Sequence, residues 1–173
     1  DKGSITAFYT VLVDGDDMNE PITDKVRGTL DGHIVLSRRL AQRYHYPAID
    51  VLQSVSRLVR RVSGKETLKA AGKIRELMAV YQTNEQMINA GIYQGGSSPE
   101  IDLAVNKHQD IEEFLKQEEY EKCSMDDTLQ KLSALSEIDI PKEEFGEMPG
   151  SVLKPVSQVV EENLMQNKDS ESV

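Results

Sequence analysis

Cysteine, aromatic residues and long apolar runs are all scarce in this sequence. The shortages of cysteine and of apolar runs each exclude a class of protein. The chain has one cysteine, Cys123, which cannot form an internal disulfide, so the sequence does not resemble a disulfide-stabilised domain and suits a reducing compartment. No apolar run approaches the roughly 18 residues that a membrane-spanning helix requires. The chain also starts without methionine and runs directly into an apolar segment. We therefore expect it to be the C-terminal part of a longer protein.

Basic residues are outnumbered by acidic ones, 20 against 30, which gives a net charge of −10. This charge argues against nucleic acid as the main partner of the chain. The imbalance is uneven, because residues 1–63 carry nine basic and eight acidic side chains while residues 64–173 carry eleven and twenty-two. Six arginines fall within residues 38–61, and they favour an anionic ligand, although a solvated helix face is the commoner origin of such a cluster.

The first 63 residues alternate between strand-like and helix-like segments. Residues 4–13 are rich in β-branched and aromatic side chains, which predicts a strand buried on both faces of a parallel sheet. Pro21 offers a helix start, residues 33–36 predict a second buried strand, and Ser37 can cap a helix that extends to about Tyr44. This alternation predicts the fold class α/β, with 1–63 as the end of a core domain.

Beyond residue 63 the apolar period changes to three and four, which predicts a helical domain over 64–138. Its expected helices cover the apolar stripes at 68–81, 87–92 and 101–115, and Ser124 with Asp127 resembles a capping box before a last helix. Proline, glycine and acidic residues dominate after Asp139. We expect 139–173 to be a disordered acidic tail, with one weak helix around 155–165.

Several candidate motifs for chemistry fail on spacing. Gly64-Lys65 lacks both the upstream glycine and the following Ser or Thr of a phosphate loop. The histidines are too widely spaced for a metal site, and we interpret His33 as a hydrogen-bonded core residue. We interpret Cys123 as a passive thiol rather than a nucleophile. The pair at 16–17 could hold a cation, but a polar loop is the better interpretation.

Four blocks at residues 2–6, 15–21, 31–38 and 46–57 together resemble the rotary-type hexameric ATPase superfamily. They read KGSIT, GDDMNEP, DGHIVLSR and YPAIDVLQSVSR, in the family's order and spacing. The resemblance extends to about residue 138 and is closest to the branch that drives flagellar type III protein export, with the virulence-secretion branch second. It implies the C-terminal fragment of a RecA-like P-loop ATPase core followed by an α-helical bundle domain.

The resemblance assigns roles to two residues. Arg57 corresponds to the arginine that points into the neighbouring subunit's nucleotide site, where a guanidinium can stabilise charge on the γ-phosphate. Tyr46 corresponds to the aromatic residue that packs on adenine. Both in one chain imply a homo-oligomeric ring, a hexamer by analogy, with ATP and Mg²⁺ as cofactors. Implied partners are the export apparatus, stalk and regulator proteins, substrates and chaperones, at a cytoplasmic location peripheral to the membrane.

The phosphate loop, the Mg²⁺-binding Asp and the catalytic Glu of the family would all lie upstream of residue 2. We therefore expect this chain alone neither to bind Mg-ATP tightly nor to hydrolyse it. Two alternatives remain open: a non-catalytic interaction module that binds partners or poisons rings, and a subunit of an F- or V-type synthase. The single-chain argument from Tyr46 and Arg57 disfavours the synthase subunit, which would need a non-identical partner.

Overall fold

The computed structural model describes Gly3, residues 5–13 and residues 20–145 of the 173-residue chain. Two strands and six helices occur within those residues, followed by a 3₁₀ turn at Lys142–Glu144. Their order is α1 (Pro21–Thr29), β1 (Gly32–Leu36), α2 (Arg38–Gln42), β2 (Ile49–Ser56), α3 (Val59–Val62), α4 (Lys65–Asn89), α5 (Pro99–Leu115) and α6 (Met125–Ser136). None of the helices within the described ranges is long and apolar enough to cross a membrane.

The mixed α/β class is confirmed, but the strands pair differently from the sequence prediction. β1 and β2 form a two-stranded antiparallel sheet, with Gly32 opposite Ser56 and Leu36 opposite Ile49. The prediction of a buried β1 is wrong, because Ile34 and Leu36 are 69% and 72% exposed. A strand is buried on both faces only when helices cover both sides of its sheet. This two-stranded sheet is not covered in that way by the described residues. β2 was not predicted as a strand at all.

Residues 4–13 were predicted to form a buried parallel strand, and that prediction is also wrong for the described residues 5–13. They have no regular secondary structure, and the Ile5 and Phe8 side chains are 98% and 93% exposed. Among the described residues, β1 and β2 pair only with each other and provide no third strand beside this segment. The β-branched and aromatic residues of this segment therefore have no described neighbouring strand with which to form backbone hydrogen bonds.

The long helix α4 joins two stripes that the sequence analysis treated as separate helices. Its 25 residues continue through a polar stretch because nothing there breaks a helix. Thr83 and Asn84 donate side-chain hydrogen bonds to the carbonyls of Ala79 and Val80, one turn earlier. The helix ends just before Gly91, whose φ of 68° suits glycine.

The core lies between α4, α5 and α6. Its buried side chains include Ala70, Ile74 and Leu77 of α4, and residues of the other two helices pack against them. The predicted capping box is confirmed: the Ser124 hydroxyl accepts from the Asp127 N–H, and the Asp127 carboxylate accepts from the Ser124 N–H. This box fixes where α6 begins.

The segment after α6 folds back onto the start of α4. The first residues of the segment predicted to be a disordered tail therefore pack against the helices. Ile140 is buried in the core, and the Glu144 carboxylate accepts hydrogen bonds from the backbone N–H groups of Glu66 and Thr67 and from the Thr67 hydroxyl. These N–H groups belong to the first turn of α4 and have no partner within the helix. The weak helix expected at 155–165 lies outside the described residues.

Candidate functional site

Tyr46 lies in the turn between α2 and β2, and its side chain is 52% exposed. The turn is held from both sides: the His45 N–H donates to the Leu40 carbonyl, and the Tyr46 carbonyl accepts from the Gln117 N–H at 2.9 Å. Gln117 follows the end of α5. The turn that carries the predicted adenine-packing residue is therefore attached to the end of α5 as well as to α2.

A surface cavity of about 720 Å³ opens beside this turn. One wall carries Tyr44, Tyr46 and Pro47, and the other carries residues just after α5, namely Lys116, Gln117, Glu118, Glu119 and Glu121. We call this space the Tyr46 cavity. With three carboxylates against one lysine, its lining disfavours phosphate. It offers ring faces and acceptor oxygens, which suit an uncharged base that carries an amino group.

Arg57 lies directly after β2, and its guanidinium is exposed. Its backbone N–H donates to the Asp31 carbonyl at 2.8 Å, and Nη2 donates to the Gly28 carbonyl at 3.1 Å and the Arg27 carbonyl at 3.5 Å. These acceptors are uncharged and lie at the end of α1. Within the described part of the chain no carboxylate forms an ion pair with Arg57, and the guanidinium is oriented by carbonyl oxygens.

β2 separates the two sequence-predicted residues. Tyr46 precedes its first residue and Arg57 follows its last, so an eight-residue strand lies between them. Its two ends pair with Leu36 and Gly32, which are four residues apart on β1, so at about 3.3 Å per residue the ends of the ribbon lie roughly 13 Å apart. The structure therefore does not bring Tyr46 and Arg57 together. The arrangement suits contributions to two different binding sites.

The arginine cluster predicted to attract an anion is divided by the fold. Arg43 pairs with Glu85 of α4 at 2.9 Å and Arg39 reaches the same carboxylate at 3.8 Å, so these two charges are partly neutralised. The hydrogen bond from Arg43 is the main cause that lowers the pKa of Glu85. Arg60 and Arg61 lie on the exposed α3.

Next to this ion pair lies a polar contact that sequence reasoning missed. His45 is buried, and its Nδ1 lies 3.0 Å from Oε2 of Glu112 on α5. One turn earlier on α5, His108 stacks on Tyr81 with ring centroids 3.5 Å apart, and burial is the main cause that lowers its pKa. His45 and Glu112 are 67 positions apart in sequence, so no local pattern could have found the pair.

The remaining candidates behave simply. His33 is only partly buried and contacts the Gln53 carbonyl at 3.1 Å, so it is hydrogen-bonded as predicted but is not a core residue. Cys123 is exposed, with its sulfur 3.4 Å from the Thr128 hydroxyl. No group of three or more metal-ligating side chains occurs among the described residues. The acidic pair at 16–17 lies outside them.

Two protein-family models match the chain in succession. The ATP synthase alpha/beta nucleotide-binding domain matches residues 1–56, and the C-terminal domain of the type III secretion ATPase EscN matches residues 63–134. An α/β segment followed by helices is the order that the structure shows. These matches define the class: the chain is a member of the ATP synthase alpha/beta type of ATPase.

Relatives narrow this class to one family. The chain is 53% identical over 144 residues to the flagellum-specific ATP synthase of Treponema pallidum, covering 83% of this chain and 32% of that protein. It is 52% identical over 132 residues to the SPI-2 type 3 secretion system ATPase of Salmonella typhimurium, covering 76% and 30%. The chain belongs to the family of flagellar and type III secretion ATPases, and spans about a third of the length of these relatives.

Solved structures agree with this assignment. The assembled ATPase EscN of the enteropathogenic E. coli type III secretion system matches with a TM-score of 0.75 and 43% identity, over 78% of this chain and 33% of that one. EscN in complex with its central stalk EscO matches with a TM-score of 0.64 and 40% identity, over 67% and 29%. The match supports the observed arrangement of elements as that of an ATPase of this family.

Proposed function

We propose that this chain acts as the C-terminal part of an ATPase that couples ATP hydrolysis to type III protein export, with the flagellar system as the favoured branch. Tyr46 packs on the adenine bound by its own subunit, and Arg57 reaches the γ-phosphate bound by the next subunit. The observation that carries this proposal is the position of the two residues at opposite ends of β2. One chain then serves two neighbouring nucleotide sites, as in a ring of identical subunits, with six by analogy.

The surroundings of each residue support its proposed role. The Tyr46 cavity has an acidic lining that disfavours phosphates and favours the base. Arg57 is exposed, always charged and held by carbonyl oxygens, so its guanidinium can turn to a phosphate without breaking an ion pair to any described residue. Mg-ATP is the expected cofactor. No phosphate loop is recognised in this sequence, so Arg57 is the one phosphate contact that the proposal assigns to it.

The proposal assigns different roles to two segments of the chain. Residues 1–63 complete a nucleotide-binding core, and residues 64–138 form a helical domain that contacts the central stalk, by analogy with the EscN complex with EscO. A cytoplasmic position at the export apparatus follows from the same family resemblance. By itself the 173-residue chain is expected not to turn over ATP, and measurable turnover by the purified chain would disprove this.

The arginine can be tested in the complete ATPase that carries this sequence. Arg57→Ala should lower kcat by about 10³-fold or more, because a trans arginine typically contributes 10³–10⁵ in rate, while ATP affinity stays within a few-fold. Steady-state turnover and nucleotide binding measure the two effects separately. Arg61→Ala, four residues further on in the exposed α3, is the matched control and should keep wild-type turnover. Full turnover by the Arg57 variant would show that its role is structural.

A further inference from the structure

The contacts around Tyr46 are more extensive than an exposed turn requires. Tyr44 has a φ of 58°, a left-handed conformation that is uncommon for a bulky side chain. Its N–H donates to the Ala41 carbonyl, and the next N–H, of His45, donates to the Leu40 carbonyl. Such conformations persist where surrounding contacts determine them, and they are frequent at ligand sites.

Two contacts tie this turn to the end of α5. The His45 side chain, 4% exposed, meets the Glu112 carboxylate at 3.0 Å, and the Tyr46 carbonyl accepts from the Gln117 N–H at 2.9 Å. Glu112 lies in the last turn of α5, and Gln117 lies just beyond its end. His45 and Tyr46 are thus both held by the C-terminal end of α5.

Burial makes the His45–Glu112 contact specific. A buried ring nitrogen without a partner is costly, so His45 stays buried only where an acceptor is placed for it. Glu112 is 32% exposed on its side chain, and the Lys116 ammonium lies 3.8 Å from the same carboxylate oxygen. A shift of α5 would move Glu112 and Gln117 together, and with them the backbone that sets the direction of the Tyr46 ring.

We propose that Glu112, acting through His45, is a positioning residue that orients Tyr46 for stacking on the base. Glu112 and His45 then influence the affinity for nucleotide without lining the Tyr46 cavity themselves. This inference rests on the proposed role of Tyr46 in adenine packing and adds two residues to which no role is otherwise assigned. A movement of α5 would then also change the orientation of Tyr46 in its cavity.

The test uses the complete ATPase that carries this sequence and compares KM with kcat for ATP. Glu112→Ala should raise KM about 3- to 10-fold, a fraction of what full loss of stacking gives, and leave kcat within about twofold. Glu112→Gln keeps an oxygen that can accept from Nδ1, so it should restore most of the wild-type KM. Glu113→Ala, at the exposed neighbouring position, is the control and should change neither value.

A double-variant comparison separates positioning from general destabilisation. Tyr46→Ala should raise KM at least as much as Glu112→Ala, and combining the two should add nothing to Tyr46→Ala alone. If the two changes add, Glu112 does not act through Tyr46 and the inference is wrong. If Tyr46→Ala leaves KM unchanged, the proposed adenine contact fails first, and the inference fails with it.

A second variant covers the case in which Glu112→Ala does not fold. His45→Phe keeps a ring in the buried space, removes Nδ1 and leaves Glu112 its access to water, so it should assemble normally. The same rise in KM is expected, and it too should vanish in the Tyr46→Ala background. A His45→Phe enzyme with the wild-type KM would overturn the inference.

Discussion

At the residue scale, Glu144 contributes most clearly to holding distant parts of the chain together. Its carboxylate takes the place of a local cap on α4, because Gly64 at the N-cap position has no side chain to offer. A Cβ added at Gly64 would overlap that carboxylate. A side chain at position 64 would therefore displace the Glu144 carboxylate from the start of α4, so the cap depends on both residues.

Removing this carboxylate should destabilise the chain measurably. Glu144→Ala is expected to lower the free energy of unfolding by about 1–2 kcal/mol, the usual cost of losing a helix cap. Urea unfolding followed by circular dichroism measures the change. Glu143→Ala, an exposed neighbour on the same turn, is the matched control. Equal midpoints for the two variants would show that the Glu144 contacts contribute nothing.

The pKa of Glu144 adds a pH dependence with a defined sign. Desolvation acts to raise this pKa, but hydrogen bonds from the Thr67 hydroxyl and from backbone N–H groups outweigh it, and the pKa is lowered below 4.5. A lowered carboxyl pKa stabilises the fold at pH values above the unfolded pKa. This contribution is lost as the pH falls through the pKa of Glu144 in the folded chain. The free energies of unfolding of Glu144→Ala and Glu143→Ala should therefore converge in strong acid.

Residue-level features were predictable from the sequence only where they are local. The Ser124–Asp127 capping box follows from a spacing of three, and the structure contains it. The Glu144–Thr67 contact spans 77 positions and had no sequence signal. Tyr46 and Arg57 were found through the family resemblance, but their placement at opposite ends of β2 required the structure, because β2 itself was missed.

At the element scale, the helices were more predictable than the strands: β1 was predicted at residues 33–36, but its exposure and antiparallel pairing were not, and β2 was missed. Apolar residues at three- and four-residue spacing mark α5 and α6 because each helix buries one stripe against α4. Residues 5–13 have the composition of a strand but lie exposed, since a strand is defined by its neighbours in the sheet. Helical hydrogen bonds are local, whereas strand pairing depends on distant residues.

The start of α6 provides a test at this scale. Ser124→Ala removes the hydroxyl that accepts from the Asp127 N–H at 3.0 Å, and should cost about 1 kcal/mol of unfolding free energy. Thermal unfolding of the wild-type and variant chains measures the change. Thr83→Ala is the contrast, because its hydroxyl only donates back to a helix carbonyl within α4, where alanine is equally good or better. A comparable loss in both variants would refute the capping role.

At the scale of the whole molecule, the contact region between the α/β part and the helices is rich in titratable groups. Glu85 and Glu112 face Arg39, Arg43 and the two histidines, with Lys116 at the edge. Such an interface is expected to respond to pH and salt more strongly than the apolar helical core does.

His108 makes this response testable. Burial is the first cause that lowers its pKa below 6.5, opposed by Glu112 and Glu85 and assisted by Arg43 and Lys116. The unfolded chain therefore takes up the proton at a higher pH than the folded chain does. Stability from this residue is complete above the unfolded pKa and declines as the pH falls below it.

The wild-type chain should thus lose more unfolding free energy than a His108→Gln variant when the pH is lowered from about 7.5 to about 5.5. Urea midpoints at the two pH values measure the difference. Acidification also reduces the net charge of −10 and with it the overall repulsion, but that effect is common to both chains and cancels. His33→Gln, at a partly buried histidine on β1, is the control and should keep the wild-type slope. If His108→Gln has that slope too, the buried ring is not what makes the interface sensitive to acid.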